Sequence, residues 1–372
     1  MKTLSAADLQ KILNPEKEAA SVPNADGILF PDAIRKHKLA ECEKCPLYPQ
    51  RSAPTCGPSP ESARVAFVSR SPGQYDVAIG KPFANPRGAG AVLDHLLARY
   101  RIKREDVLTT NVVLCRSDDP PKEAIAACKP RLEAEIANCQ LVILGGTEAT
   151  SSLTRYRAVF TARPFVHNRK SSTGVQQRVI VTNNPAIVVR DSDKYPDMVE
   201  DFRRAFDPPP PPVFPEVEII NEGSRAYDAL GKWLNTSFTN PIASDLEWTP
   251  DNRIAAAGFS ARSERAVVFG MAAIDDERVR DRLREFYSRR DIQFIWHAGK
   301  ADTKVLWLNS IHGRIDEDTY LMSMTLDERP GYHSLEYLLS TRFAWPDYEP
   351  ASVKHFKKTG EFLGKTPQQR KN

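Results

Sequence analysis

Residues 207–215 read Asp207-Pro-Pro-Pro-Pro-Pro-Val-Phe-Pro215, and this run decides how many folds the chain holds. Five consecutive prolines have no N–H to give to a helix or a sheet ladder, so they predict a stiff polyproline spacer. The 372 residues are more than twice the ~150 of an average domain. We therefore expect one domain over residues 1–207, a linker over 208–215 and a second domain over 216–372. Upstream, Arg64-Val-Ala-Phe-Val-Ser, Val107-Leu-Thr-Thr-Asn-Val-Val, Gln140-Leu-Val-Ile-Leu-Gly and Arg178-Val-Ile-Val-Thr-Asn are short apolar runs. They alternate with helical patterns such as Gly90-Ala-Val-Leu-Asp-His-Leu-Leu, which predicts an α/β domain with a parallel sheet. Downstream, Ile242-Ala-Ser-Asp-Leu-Glu, Ile254-Ala-Ala-Ala-Gly-Phe and Arg265-Ala-Val-Val-Phe-Gly read as three successive strands. A helix near Asp276–Ser288 and a strand at Gln293-Phe-Ile-Trp-His follow, so a mixed sheet flanked by helices is expected.

Composition sets the class. Apolar residues at 41%, charged at 27% and aromatic at 9% are those of a globular protein with a packed core. No apolar run approaches the ~20 residues that cross a bilayer, and the first residues lack the apolar stretch of a secretory signal, so a cytoplasmic protein without a membrane partner is expected. Net charge is +4, but residues 1–207 carry 30 Lys and Arg against 24 Asp and Glu, leaving the second half acidic. Within residues 151–190, Arg155, Arg157, Arg163, Arg169, Lys170, Arg178 and Arg190 occur without a single acid. Bracketed by Tyr156, Phe160 and Phe165, they suit either a surface along a phosphate backbone or a solvated loop.

Six cysteines are too few for a disulfide scaffold. Cys42 and Cys45 form a Cys-x-x-Cys pair, and Cys115 and Cys128 follow in the same domain. Four thiolates can close a zinc site or hold a four-iron cluster, and spacing does not choose. The surrounding residues are Glu41-Cys-Glu-Lys-Cys-Pro-Leu, Gly80-Lys-Pro-Phe83, Thr110-Asn111-Val-Val-Leu-Cys115-Arg, Cys128-Lys-Pro-Arg-Leu and Leu144-Gly145. In this order they resemble the iron–sulfur uracil-DNA glycosylases of family 4, over nearly all of residues 38–190. The resemblance implies a 4Fe-4S cluster on the four cysteines, and a flipped uracil stacked on Phe83 and hydrogen-bonded by Asn111. The alternative for those two residues is a core aromatic and a turn residue. Cys56 and Cys139 fall outside the pattern and read as buried thiols.

Two departures matter. The family's glutamate in glycine-glutamate-x-proline-glycine is replaced by Arg70 in Ser69-Arg-Ser-Pro-Gly73, and its histidine-proline-alanine reads Asn184-Pro-Ala186. Hydrolysis of an N-glycosidic bond passes through a cationic sugar, which an arginine opposes. The expectation is a base pocket of Phe83, Asn111, Asn184 and Arg70 kept for binding DNA without excision. Asp76 is the neighbouring acid that would restore a carboxylate, and an active base-excision glycosylase is the alternative.

In the second domain, Asp245 and Glu247 stand at i and i+2 of one strand and project from one face. Asp302 follows in Ile295-Trp-His297-Ala-Gly-Lys300-Ala-Asp302. These motifs, with Asp318-Thr-Tyr-Leu-Met-Ser-Met-Thr-Leu-Asp327 and His333-Ser-Leu-Glu-Tyr-Leu-Leu, resemble the 3′–5′ exonuclease domain of family A DNA polymerases over residues 240–360. The resemblance implies a ribonuclease H-like fold in which Asp245, Glu247 and Asp302 hold two Mg2+ or Mn2+ ions. It also implies a single-stranded or primer-template DNA substrate. A third motif is expected after Thr366-Pro-Gln-Gln but is missing, and Trp248 replaces the usual threonine. The expectation is the front portion of a phage or viral polymerase, acting in the host cytoplasm, with polymerase domains after Asn372. A non-catalytic DNA clamp is the further alternative.

Overall fold

The computed structural model describes residues 40–48 and 62–346. The chain divides into two compact units, Met1–Pro210 with Ser340–Pro346, and Pro211–Leu339 with Asp347–Asn372.

The first unit runs β1 (Val65–Ser69), α1 (Gln74–Ile79), α2 (Ala89–Ala98), β2 (Leu108–Asn111), α3 (Lys122–Glu135), β3 (Leu141–Gly145) and α4 (Thr147–Leu153). It continues through α5 (Val159–Ala162), β4 (Val166–Lys170), β5 (Gln176–Thr182), α6 (Pro185–Val188) and α7 (Tyr195–Phe206). Sheet order is β2-β1-β3-β5-β4. β1, β2, β3 and β5 are parallel, whereas β4 pairs antiparallel with β5. Successive side chains alternate between faces, so a parallel strand covered on both sides must be apolar throughout. β3, Leu-Val-Ile-Leu-Gly, is buried at every position. Ala66, Val68, Val142, Leu144, Val179 and Val181 face a core that includes Leu132 of α3. Phe67, Ile143 and Ile180 face the other core with α2 and α7. The expected parallel sheet is therefore present, with an antiparallel edge strand drawn from the basic stretch.

The second unit contains β6 (Glu216–Ile220), α8 (Gly223–Leu234), β7 (Ile242–Trp248), β8 (Ile254–Arg262), β9 (Arg265–Gly270), α9 (Met271–Ile274) and α10 (Glu277–Ser288). β10 (Phe294–Trp296), α11 (Lys300–Leu308), β11 (Glu317–Asp318) and α12 (Thr319–Leu326) follow. Sheet order is β11-β10-β7-β8-β9-β6. β7, β8 and β9 are antiparallel, and β10 and β11 add in parallel beside β7. Three meandering strands followed by two parallel ones on the far side of the first make a ribonuclease H-like sheet, here extended by β6. β7 alternates strictly: Ile242, Ser244 and Leu246 are buried while Ala243, Asp245 and Glu247 are exposed. Burying the first set against Phe259, Phe286 and Phe294 forces both acids to the opposite face.

No helix among the described residues is long and apolar enough to cross a membrane.

Candidate functional sites

In the first unit the candidate base pocket lies where the parallel strands end. Arg70 follows β1, Asn111 closes β2, Gly145 and Gly146 follow β3, and Asn184 follows β5. Ser69 and Asn111 are register partners, so their side chains share the sheet face occupied by Phe67. Asn111 is only 1% exposed, and its Nδ2 is a buried donor without a partner. An orphaned buried amide costs about 1–3 kcal/mol. That cost is recovered when a ligand brings an acceptor to it.

Phe83 adopts a left-handed backbone with φ 55°. Two contacts hold it there. Asp76 accepts from Gly73 N at 2.9 Å and from Ala84 N at 2.8 Å, fixing both ends of the loop. Gly90 passes so close that a Cβ there would lie 2.1 Å from the Phe83 carbonyl oxygen. The Phe83 ring stands edge-on to Phe67 at 5.3 Å, with the Arg104 guanidinium 5.6 Å from its centroid. Phe83 is therefore part of the core, with 9% of its surface open. Asp76, with both oxygens engaged by the backbone, acts as a loop pin and not as the spare carboxylate expected above.

Asn184 is also engaged. Its Oδ1 accepts from Ala186 N at 2.9 Å, capping α6, and its Nδ2 donates to Ser69 Oγ at 2.8 Å. The expected carboxylate comes from a residue the sequence did not single out: Glu148 Oε1 lies 4.0 Å from Arg70 Nη1. Its signal was an acid one residue into the helix after Gly145-Gly-Thr, at the carboxyl end of a parallel strand, where ligand sites of open α/β sheets form.

Behind the sheet, Cys42 and Cys45 flank a short 3-10 turn that docks on α3 through Glu41 N to Ala127 O at 2.9 Å. Burial, and then the thiols of Cys128 and Cys42, push the Cys45 thiol up, while backbone N–H groups of Leu47 and Tyr48 bond to it. Cys45 and Cys115 pack on the core cluster that contains Cys128. Cys42, Cys45 and Cys128 are thus within electrostatic reach of one another around Cys45, while Cys115 packs on the same core cluster; among the described residues no three His, Cys, Asp or Glu side chains are arranged to hold a metal ion. The donor chemistry fits a soft metal group: crowded, half-buried thiols with N–H donors aimed at sulfur, whose mutual penalty a cationic group relieves. Cys139 lies buried, its thiol pushed up to about 11 by burial. Cys56 is outside the described residues.

The basic stretch divides. Arg163, expected on a DNA surface, is 3% exposed. It pairs with Asp197 at 2.6 Å and Asp201 at 3.2 Å beside Arg204, in a buried four-charge cluster. Arg178 donates to the Ala205 carbonyl, and burial holds its pKa below the usual arginine value. Arg169 pairs with Glu133. Arg155, Arg157, Lys170 and Arg190 are exposed. Arg163 and Arg178 are therefore corrected from DNA contacts to structural groups, because their guanidiniums are spent on buried acceptors.

In the second unit Asp302, 6% exposed on the first turn of α11, reaches β7: its Oδ1 accepts from Leu246 N at 3.0 Å, between the two strand acids. Desolvation raises the Asp302 pKa, and repulsion from Asp245 and Asp318 adds to it. Asp245 is raised by desolvation and then by Glu247. The pairing of β7 with β8 shifts register between Glu247 and Trp248, and a bulge re-aims side chains at such a point. Asp318 is not free to bind: its oxygens accept from Ala298 N and Gly299 N at 3.0 Å, and it caps α12. Hard oxygen donors, two of them raised by desolvation and by a neighbouring acid, are of the type that suits a divalent cation. The place expected for the third motif lies outside the described residues.

A family model described as the uracil DNA glycosylase superfamily matches residues 57–207. A type-4 uracil-DNA glycosylase of Pyrobaculum aerophilum is 31% identical over 170 residues, which is 43% of this chain and 85% of that relative. The chain belongs to the uracil-DNA glycosylase superfamily. A second type-4 enzyme, from Archaeoglobus fulgidus, is 28% identical over 182 residues, covering 46% of this chain and 89% of its own length. Among solved structures, RNase D of Trypanosoma brucei in complex with GMP is similar at 13% identity and a TM-score of 0.33. That match covers 38% of this chain and 46% of the other, so the chain spans less than half the length of that structure. The superfamily membership rests on the first unit, and the ribonuclease H-like sheet of the second rests on its strand order.

Proposed function

We propose that this chain is a DNA-processing protein that shortens single strands from the 3′ end with its second unit and binds DNA through its uracil-DNA glycosylase-like first unit. The observation that supports the nuclease reading is Asp302 Oδ1 bonded to Leu246 N, which brings a third acid to the strand residue between Asp245 and Glu247 and within electrostatic reach of Asp245. Divalent cations, when bound by these acids, supply the charge that lets water attack a phosphodiester. The chain's own contribution is to hold the acids. The β7 alternation fixes Asp245 and Glu247 on one face, and the Leu246 amide fixes Asp302. Mutual repulsion keeps the set ready for cations. A DNA polymerase context is the finer proposal, supported by the resemblance of residues 240–360 to proofreading domains.

For the first unit the unpartnered Asn111 amide supports base recognition, with a 4Fe-4S cluster on Cys42, Cys45, Cys115 and Cys128 as scaffold. Arg70, only partly offset by Glu148, sets a cation where a cationic sugar would develop, so we propose binding without excision. The test is a 3′-readable labelled single strand incubated with and without Mg2+ or Mn2+. Shortening that requires the ion and is lost in Asp245→Ala supports the reading, and shortening unchanged in that variant rejects it. Release of free uracil from a uracil-containing strand would instead establish the glycosylase alternative.

A further inference from the structure

Arg131 is among the largest side chains in the protein with no exposed surface, and neither candidate site as described requires it. It lies three residues after Cys128 on α3, one turn along the same helix. Its Nη2 donates to the carbonyl oxygens of Asn111 at 2.7 Å and Val112 at 2.9 Å. Its Nη1 donates to Thr110 Oγ1 and Glu135 Oε2, both at 2.8 Å, and Thr110 Oγ1 donates to Glu135 at 2.9 Å. From the other side, Val112 N donates to Ser69 O at 2.7 Å and Val113 N to Arg70 O at 3.1 Å. The backbone at the end of β2 is therefore gripped by β1 through its N–H groups and by Arg131 through its carbonyls. The Asn111 amide, on the opposite sheet face, is left without a partner, as is Nε of Arg131 itself.

The grip continues to the thiols. Glu41 N, beside Cys42, bonds to Ala127 O on α3, next to Cys128. Cys115 lies four residues beyond Asn111 on the segment that Arg131 holds. A path of short contacts thus joins the cysteine turn, α3, Arg131 and the carbonyl of Asn111. We infer that Arg131 is a positioning residue that makes the aim of the Asn111 amide, and hence selectivity for uracil, depend on whether the cysteine site is filled. The inference rests on the reading of Asn111 as the base-reading group.

A planar guanidinium can hold two carbonyls and a hydroxyl at once, whereas an ammonium holds them as a point charge. The experiment uses the full chain as purified and after metal removal by a chelator, in wild type, Arg131→Lys and the double variant Arg131→Met with Glu135→Leu. The double variant takes both charges out together, so neither is left buried alone. Fluorescence anisotropy with matched uracil- and cytosine-containing single strands gives the selectivity ratio, because cytosine sets an amine donor where uracil sets the O4 acceptor for the Asn111 amide, and hydrogen exchange follows residues 110–115. In wild type, chelation is expected to lower the ratio roughly tenfold, the scale of coupling between contacting groups, and to speed exchange at 110–115. In the double variant the ratio is already lost while cytosine-strand affinity is kept, and chelation changes nothing further. Arg131→Lys falls between, and decides the matter if the double variant does not fold. An unchanged ratio in the variants, an equal chelation effect in wild type and variant, or no effect of chelation anywhere overturns the inference. If wild type shows no preference for uracil, the base-reading assignment fails. Exchange at 110–115 then judges the clamp alone: loosening on chelation in wild type only sustains it, and any other pattern overturns it.

Discussion

Arg163 separates what the basic stretch suggests from what the fold does with it. Replacing it by methionine removes the cation 2.6 Å from Asp197 and 3.2 Å from Asp201, two carboxylates that are at most 2% exposed. Arg204 stays beside Asp201 at 2.6 Å, so the charge imbalance falls mainly on Asp197. Breaking a buried pair by deleting one partner costs about 3–5 kcal/mol. At about 2–4 °C per kcal/mol for a unit of this size, the melting temperature of the first unit is expected to fall by roughly 6–20 °C. The double variant Arg163→Met with Asp197→Leu should regain most of that loss, since a buried pair replaced by apolar groups is often neutral. A DNA contact behaves differently. Each neutralised phosphate contributes about 0.7 to the slope of log affinity against log salt on single strands. Arg163→Met is expected to leave that slope unchanged below the melting transition, and Arg157→Ala, at an exposed position, to leave the melting temperature unchanged. Differential scanning calorimetry and salt-dependent anisotropy read the two quantities separately. A shallower salt slope with an unshifted transition in Arg163→Met would refute the buried-cluster argument.

Two further outcomes follow from the sites. Gly90→Ala sets a Cβ 2.1 Å from the Phe83 carbonyl oxygen and 2.8 Å from that of Asn85, so the Phe83 loop must move by close to an ångström; a loss of about 1–3 kcal/mol is expected, together with weaker uracil-strand binding by anisotropy, and unchanged binding would show that the loop takes no part. In the second unit, Asp245 and Asp302 have pKa values raised above the ordinary 3.8, so their ionisation costs the fold stability, and that cost disappears as pH falls through the raised values toward 3.8. Asp302→Asn keeps the acceptor for Leu246 N and removes the charge. Without added cations it is expected to melt higher than wild type at pH 7, with the difference closing on acidification, and to lose strand shortening; a lower melting point at pH 7 would contradict the electrostatic argument.

The strands most easily read from the sequence are those whose burial is dictated on both faces or on alternate residues. β1 and β3 are apolar almost throughout, β5 is apolar over Val179-Ile-Val181, β2 is short and buried at every position, and β7 carries its acids at i and i+2 inside an apolar alternation. β4 went unread because Val166-His-Asn-Arg-Lys lies at a sheet edge, where charged residues are tolerated and no apolar pattern is enforced. β6, also at an edge, alternates Glu216, Glu218 with Val217, Ile219 but leaves the apolar pair exposed. Cys115 and Cys128 were singled out through the resemblance of their surroundings, whereas the Cys42-x-x-Cys45 and Asp-x-Glu pairs were legible because their spacing is local. Glu148 was not, since its partner Arg70 lies in another βα unit. Arg163 was misread because a sequence prints a buried arginine and a solvated one alike; the fold decides by supplying Asp197 and Asp201 from α7. Arg131 and Glu135 had a signal in hindsight: charges four apart on the α3 stripe of Ala124, Ala127, Cys128 and Leu132, where an apolar face was due.

The two candidate sites differ in what they ask of a nucleic acid. At the strand ends of the first unit the unpartnered group is a buried donor, the Asn111 amide, and the nearby cation Arg70 is shared with Glu148 at 4.0 Å. Such a surface attracts carbonyl edges and phosphates without help, while it opposes the positive charge that glycosidic cleavage builds on the sugar. In the second unit the groups are acceptors: Glu247 acts on Asp245 and Asp245 on Asp302, and the acids would repel a phosphate. Under the proposed nuclease role a strand would enter there with cations between it and the acids, so binding and hydrolysis at that site would share one requirement. Base recognition as proposed for the first unit carries no such requirement. If, as proposed, the first unit holds DNA and the second cuts it, the two are under separate chemical control within one chain, and it is the Arg70 cation, which Glu148 at 4.0 Å offsets only in part, that opposes excision.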